Sequence, residues 1–286
     1  MSLDPRLHAF RGDWADARLR NRIDAARYVE GRPASVRVPL ADLRRRPASD
    51  APLETQALFG ESAAIFETGQ EGWSLVQLDR DSYVGYMATE ALGPAAGDLP
   101  FKVGVPRTLL FPAPDIKAPP LDALPMGARV AVLAEASDRN AEYRLVAPFG
   151  AIVAQHLLPS DGVAPDFVAV AQAFLGAPYL WGGKSSLGID CTGLTQIALH
   201  MAGIAAPRDS DMQEAWAVEI DAQAPRRRGD LIFWKGHVGI MLDETLLLHA
   251  NAHHMMTAIE PLAEAVARIG AKGSPVTSVR RAPGLD

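Results

Sequence analysis

A single cysteine, Cys191, occurs in the 286-residue chain, within the stretch GIDCTGL at residues 188–194. It can form no internal disulfide. The run CTGLTQIALHMAG predicts a helix that starts at Cys191, with Asp190 at its N-cap. The start of a helix carries free N–H groups and a partial positive charge. These lower a thiol's pKa and can stabilise an oxyanion at an attacked carbonyl. The competing reading is a small buried apolar side chain, although such a cysteine belongs on the apolar face in mid-helix. A thiol nucleophile also needs a base and a group that orients the base. His237 opens the stretch HVGIML, and His249 closes TLLLHA twelve residues later. A hairpin with an odd-numbered loop centred on Asp243 sets these two residues directly opposite, on one face, with Cβ atoms ~5 Å apart. A two-residue turn at Asp243–Glu244 would send them to opposite faces. A metal site is the rival use of the same histidines. HANAHH gathers His249, His253 and His254, with Glu260 close by, but no second cysteine or HExxH motif completes a set.

The elements that must position these residues are short. FVAVAQAFLG predicts a helix stopped by Gly176, and PYLWGGKSSLGID is a Gly/Ser loop with aromatic residues. GDLIFW, HVGIML and TLLLHA predict three strands, and PVTSVRR a last one. Helices followed by strands predict an α+β domain with an antiparallel sheet.

The preceding half has a different texture. Leu7, Phe10, Trp14, Leu19, Ile23 and Tyr28 follow a helical spacing, which predicts an N-terminal helical arm over residues 1–32. Two segments then resemble each other. Each opens on V-x-V-P, at Val36 and at Val103, passes through a Pro-rich loop and short apolar runs, and closes on a Gly-led strand. This predicts two small β-barrels, over residues 33–97 and 98–161, ahead of the α+β domain at 162–286.

The formal net charge of −6 argues against a nucleic-acid partner. No apolar run approaches the ~18 residues of a membrane span, and the N-terminal stretch lacks the apolar core of a secretory signal. With one unpaired cysteine, the expected compartment is the reducing cytoplasm.

PYLWGG, GIDCTGL, PRDSDMQ, RRGDLIFW, HVGIML and LLHAN, in this order, resemble the NlpC/p60 family of papain-like cysteine peptidases. The front half, with ETQALFGE and Gly72–Trp73, resembles the bacterial SH3-like modules of its murein-peptide-processing branch. The resemblance implies a papain-like domain behind two small SH3-like β-barrels. It implies Cys191 as nucleophile, His237 as base, His249 as the orienting residue and Tyr179 as a phenol near the nucleophile. It also implies substrate contacts at Asp209 and Ser210. The motif's usual serine is Thr192 here, which keeps a hydroxyl for a substrate contact. Glu61 and Tyr83, with Tyr86 as the alternative to Tyr83, are the candidates to meet the substrate ammonium from a first barrel that closes one end of the cleft. The implied reaction hydrolyses the γ-D-glutamyl–diamino acid bond of murein peptides with a free N-terminal L-Ala, with no cofactor and no metal, in cell-wall peptide recycling. An inactive peptide-binding scaffold, or an amidase or acyltransferase on the same fold, are the alternatives.

Overall fold

The computed structural model describes residues 3–69, 71–221 and 223–285. The chain divides into two compact units, Met1–Ser160 and Asp161–Asp286.

The first unit is built of short strands, and the expected N-terminal helix is absent among its described residues. Strands Phe10–Arg11, Trp14–Asp16 and Arg27–Val29 and a 3-10 turn at Ala17–Leu19 take its place. Gly12, at φ 55°, turns the chain back so that Phe10 pairs with Ala15 and Arg11 with Trp14. Asp16 then caps the 3-10 turn by accepting from the Arg18 amide. Trp14 stacks on Phe66 at 5.9 Å between ring centres, so the spacing that suggested a helix serves a sheet instead.

A seven-stranded antiparallel sheet follows, in the order Leu92–Pro94, Arg32–Val36, Ser62–Thr68, Trp73–Leu78, Val84–Ala88, Leu40–Arg44, Leu53–Leu58. Its core holds Val36, Leu43, Val76, Leu78 and Met87. The rest of the unit forms three smaller sheets around Val103, Leu124, Val130, Val146 and Ile152. The internal repeat is visible in the pairing. In each half the first strand, Arg32–Val36 or Phe101–Val103, pairs with the last, Leu92–Pro94 or Leu157–Pro159. A 3-10 turn leads into each closing strand.

In the second unit, three helices come before an antiparallel sheet and a fourth lies between its last two strands in sequence. Helix α1 spans Phe167–Gln172, α2 Cys191–Met201, α3 Ser210–Trp216 and α4 Leu262–Gly270. The sheet runs Val218–Glu219, Val276–Arg281, Leu231–Trp234, His237–Met241, Leu246–Asn251, Met256–Pro261. Helix α2 is buried along its length except at His200, and its buried Thr195 and Gln196 donate to the carbonyls of Cys191 and Ala206. The Met256–Pro261 strand has no counterpart among the strands expected from the sequence.

Candidate active site

Asp190 is the hub that fixes the start of α2. Its Oδ1 accepts from the Gly193 amide (2.6 Å), the Thr192 hydroxyl (3.0 Å) and Arg208 (3.0 Å), and its Oδ2 from the Gly182 amide (2.8 Å) and Arg208 (2.9 Å). Arg208 is only 1% exposed, so its charge is matched inside the protein rather than by water. Removing either partner would strand a buried charge, at a cost of ~3–5 kcal/mol. Gly193 has no room for a side chain, since an added Cβ would lie 2.3 Å from the Gly183 carbonyl oxygen. The sequence offered Asp190 as a cap but gave no signal that Arg208 of PRDS would complete it.

These bonds also redefine Thr192. Its hydroxyl donates to Asp190 and accepts from Arg208. In the structure this hydroxyl serves an internal role, holding the α2 start together.

Cys191 is the first residue of α2, and it is 6% exposed. Burial, seconded by the Asp190 charge, pushes its thiol up to about 12. The amides of Val238 and Thr192 and the Arg208 charge act the other way and are outweighed. The expectation that the helix start lowers this thiol is thus reversed by desolvation. Burial likewise pulls His237 down to about 4, with Arg268 adding to the effect. Both shifts favour the uncharged side chains, a thiol and a neutral imidazole, before substrate binds. The rate of Cys191 alkylation by iodoacetamide is therefore expected to rise about tenfold per pH unit from pH ~6 to ~10. With one cysteine in the chain, intact-protein mass reads this directly, and a plateau across that range would mean a standing thiolate.

The sheet supplies the rest of the site through three neighbouring strands. His237 Nε2 lies 2.8 Å from His249 Nδ1, and His249 Nε2 lies 2.7 Å from Glu260 Oε1. Arg268 of α4 donates to both Glu260 oxygens. The two imidazoles share a face, as expected, but they are not directly opposite. Ile240 pairs with Leu248 and Met241 with Leu247, a register that sets Gly239 against His249 and leaves His237 on the diagonal. Asp243 opens the loop rather than centring it. Its Oδ1 accepts from the Thr245 amide and hydroxyl and from the Leu246 amide, which moves the centre to Glu244. Glu260 is diagonal to His249 in the same way, because Leu247 pairs with Glu260 and His249 with Ala258.

This line fixes where the protons sit. The Glu260 carboxylate can only accept, so His249 carries its proton on Nε2. His249 Nδ1 is then the acceptor, and His237 must donate from Nε2. The lone pair of His237 is left on Nδ1, which is the nitrogen available as a base. Trp234 lies against the His237 ring, 5.6 Å between centres. Glu260 entered the sequence reading only as a neighbour of a metal cluster; its orienting role was missed.

Tyr179 is anchored on both sides. Its amide donates to Met255 O at 2.9 Å, and its backbone bridges to Ile189 just before Asp190. Burial, then the charges of Cys191 and Asp190, push its phenol up, which puts the phenol in the electrostatic range of the nucleophile. Asp209 and Ser210 stand at the start of α3, both partly exposed, and the Asp209 side chain does not cap that helix. Gln213 of α3 donates to the Thr192 carbonyl at 3.0 Å, tying the two helix starts together. Glu61 and Tyr83 lie in the other unit and are buried there, at 4% and 1% exposure. Glu61 accepts from the Leu58 amide and pairs with Arg80 at 3.8 Å. Tyr86 is partly exposed and its phenol accepts from Arg11. Of the rival metal set, the fold brings His249, His254 and Glu260 together, with one ligand atom from each within 4.8 Å of the others.

Residues 176–268 match the NlpC/P60 family, and residues 43–92 match the bacterial dipeptidyl-peptidase Sh3 domain. Dipeptidyl-peptidase 6 of Lysinibacillus sphaericus is 35% identical over 99 residues, a match covering 35% of this chain and 36% of that protein. Gamma-D-glutamyl-L-lysine dipeptidyl-peptidase of Bacillus cereus is 28% identical over 242 residues, 73% of this chain and 71% of that one. A solved structure of an NlpC/P60 family protein from Bacillus cereus superposes with a TM-score of 0.71 at 22% identity, covering 87% of this chain and 99% of that one.

Proposed function

For a chain that carries an NlpC/P60 domain at residues 176–268 and a bacterial dipeptidyl-peptidase SH3 domain at residues 43–92, we propose a cysteine peptidase that cleaves the bond from the γ-carboxyl of D-glutamate to a diamino acid. Its substrates are murein peptides with a free N-terminal L-Ala. The observation that carries this reading is the line from His237 through His249 to Glu260 across three strands, which begins next to Val238, the residue whose amide bonds the Cys191 sulfur. The names of relatives such as the Bacillus cereus protein, together with the paired domains, support the choice of bond.

The thiol proton of Cys191 passes to His237 Nδ1 as the sulfur attacks the carbonyl carbon. The imidazolium that forms is held by His249, whose Nε2–H bond to Glu260 lets negative charge be felt along the line. The amides at the α2 start, with the Tyr179 phenol, face the developing oxyanion. His237 then gives its proton to the departing amine, and the C–N bond breaks. Water, deprotonated by the same nitrogen, hydrolyses the thioester and restores the thiol.

The compartment we assign is the cytoplasm, in recycling of cell-wall peptides; the single unpaired cysteine supports it. The deciding experiment is mass spectrometry of the products from L-Ala-γ-D-Glu-L-Lys and its diaminopimelate counterpart. Release of L-Ala-D-Glu is expected; cleavage only at another bond, or none, would overturn the assignment.

A further inference from the structure

We propose that His249, His254 and Glu260 form an inhibitory site for a borderline-soft divalent cation, zinc being the fitting ion, which switches off the base by reversing the protons along the His237–His249 pair. The inference rests on His237 being the base of the proposed peptidase.

The donor set is two imidazoles and a carboxylate, which suits zinc better than calcium or magnesium. Asn251 fixes the tautomer of His254 in the way an outer partner fixes that of a metal-binding histidine. Asn251 Oδ1 accepts from the His254 amide at 2.9 Å, which identifies that atom as the oxygen. The same oxygen lies 3.0 Å from His254 Nδ1, so Nδ1 carries the proton and the lone pair is on Nε2. Asn251 also donates to the His249 carbonyl, so one side chain braces both histidines. His254 is partly exposed, which gives the ion a way in.

Ligand atoms around tetrahedral zinc lie about 3.4 Å apart, at bond lengths of ~2.1 Å. The three atoms here span up to 4.8 Å, so His254 must swing inward by roughly 1 Å, and its loop position permits this. Arg268 holds Glu260 from the other side. The ion takes the place of the His249 Nε2 proton, which frees a lone pair on Glu260 Oε1.

That exchange has a consequence at the far end of the line. Imidazole bound through Nε2 and still neutral must carry its proton on Nδ1. His249 then donates to His237 Nε2 instead of accepting from it. His237 is left with its proton on Nδ1, and the lone pair that should receive the thiol proton is gone. No net proton is gained or lost; one leaves His249 Nε2 and one appears on His237 Nδ1.

The test uses the full chain. Wild-type activity is expected to fall about tenfold at zinc tenfold above its Kd and to return with EDTA. His254→Ala should match wild type without zinc and be insensitive over the same range, with His254→Gln as the variant of choice if folding is impaired. Cys191→Ala, which removes the thiol as a ligand, should bind one zinc per chain by calorimetry, and Cys191→Ala/His254→Ala none. In Cys191→Ala, nitrogen-15 NMR should show the His237 proton moving from Nε2 to Nδ1 on zinc addition. Equal inhibition of wild type and His254→Ala would put the ion on the Cys191 thiol and overturn the proposal, as would a His237 proton that stays on Nε2. The binding and NMR measurements need no substrate, so they decide the site even if the assigned peptide bond is wrong.

Discussion

Replacing Cys191 by alanine is expected to lower kcat/KM by about 10⁴-fold or more while the protein stays folded. Loss of a triad nucleophile typically costs several orders of magnitude, with the residual rate coming from the remaining binding and oxyanion groups. The fold should tolerate the change because Cys191 takes no part in capping its helix. Asp190 does that through the Gly193 amide, the Thr192 hydroxyl and Arg208, bonds that remain when the sulfur is removed. Deleting one buried sulfur should shift the melting temperature by only a few degrees, on the order of 1 kcal/mol. Product release by mass spectrometry and circular dichroism together make the check. Turnover near that of wild type would remove Cys191 from the mechanism, and an unfolded protein would mean that the sulfur is structural.

The second large effect concerns the substrate's amino group. N-Acetylation of L-Ala-γ-D-Glu-L-Lys is expected to lower kcat/KM at least a hundredfold, ~2.7 kcal/mol at ~1.4 kcal/mol per factor of ten. Asp209 carries this expectation. It stands partly exposed at the start of α3, and Gln213 ties α3 to the α2 start. A carboxylate that recognises an ammonium in a partly desolvated cleft discriminates steeply, because the acetylated substrate leaves it without its partner. Asp209→Asn should then lose rate on the free peptide and lose most of the discrimination between the two. Equal rates of the wild-type enzyme on the free and acetylated peptides would show that the amino group is not read.

The local signals in the sequence were strong where one residue decides the structure. Asp190 announces the helix that begins at Cys191, and the short apolar runs HVGIML and TLLLHA announce the strands that carry His237 and His249. Relations between strands were less legible. The diagonal between His237 and His249 depends on Asp243 folding back on Thr245 and Leu246, a bond pattern that one loop residue more or less would alter. Glu260 was harder still. The turn before its strand is made by Asn251, which accepts from the His254 amide, and by Met255 at φ 53°. Neither glycine nor proline marks that turn, so no punctuation separated the last strand from the HANAHH run. At the N-terminus the apolar spacing was truly helical, but Gly12 in the left-handed region permitted a tighter reversal, and burial of Trp14 on Phe66 outweighed a weak helix propensity.

The Asp243–Thr245 loop also sets a rule for how this chain can vary. Side chains alternate faces along a strand, so inserting or deleting a single residue between Met241 and Leu247 slips the ladder by one and turns His249 away from His237. A change of two residues restores the parity and keeps both imidazoles on the same side. Length variation in this hairpin should therefore occur in even steps, and a library of loop lengths would show activity that comes and goes with odd and even counts.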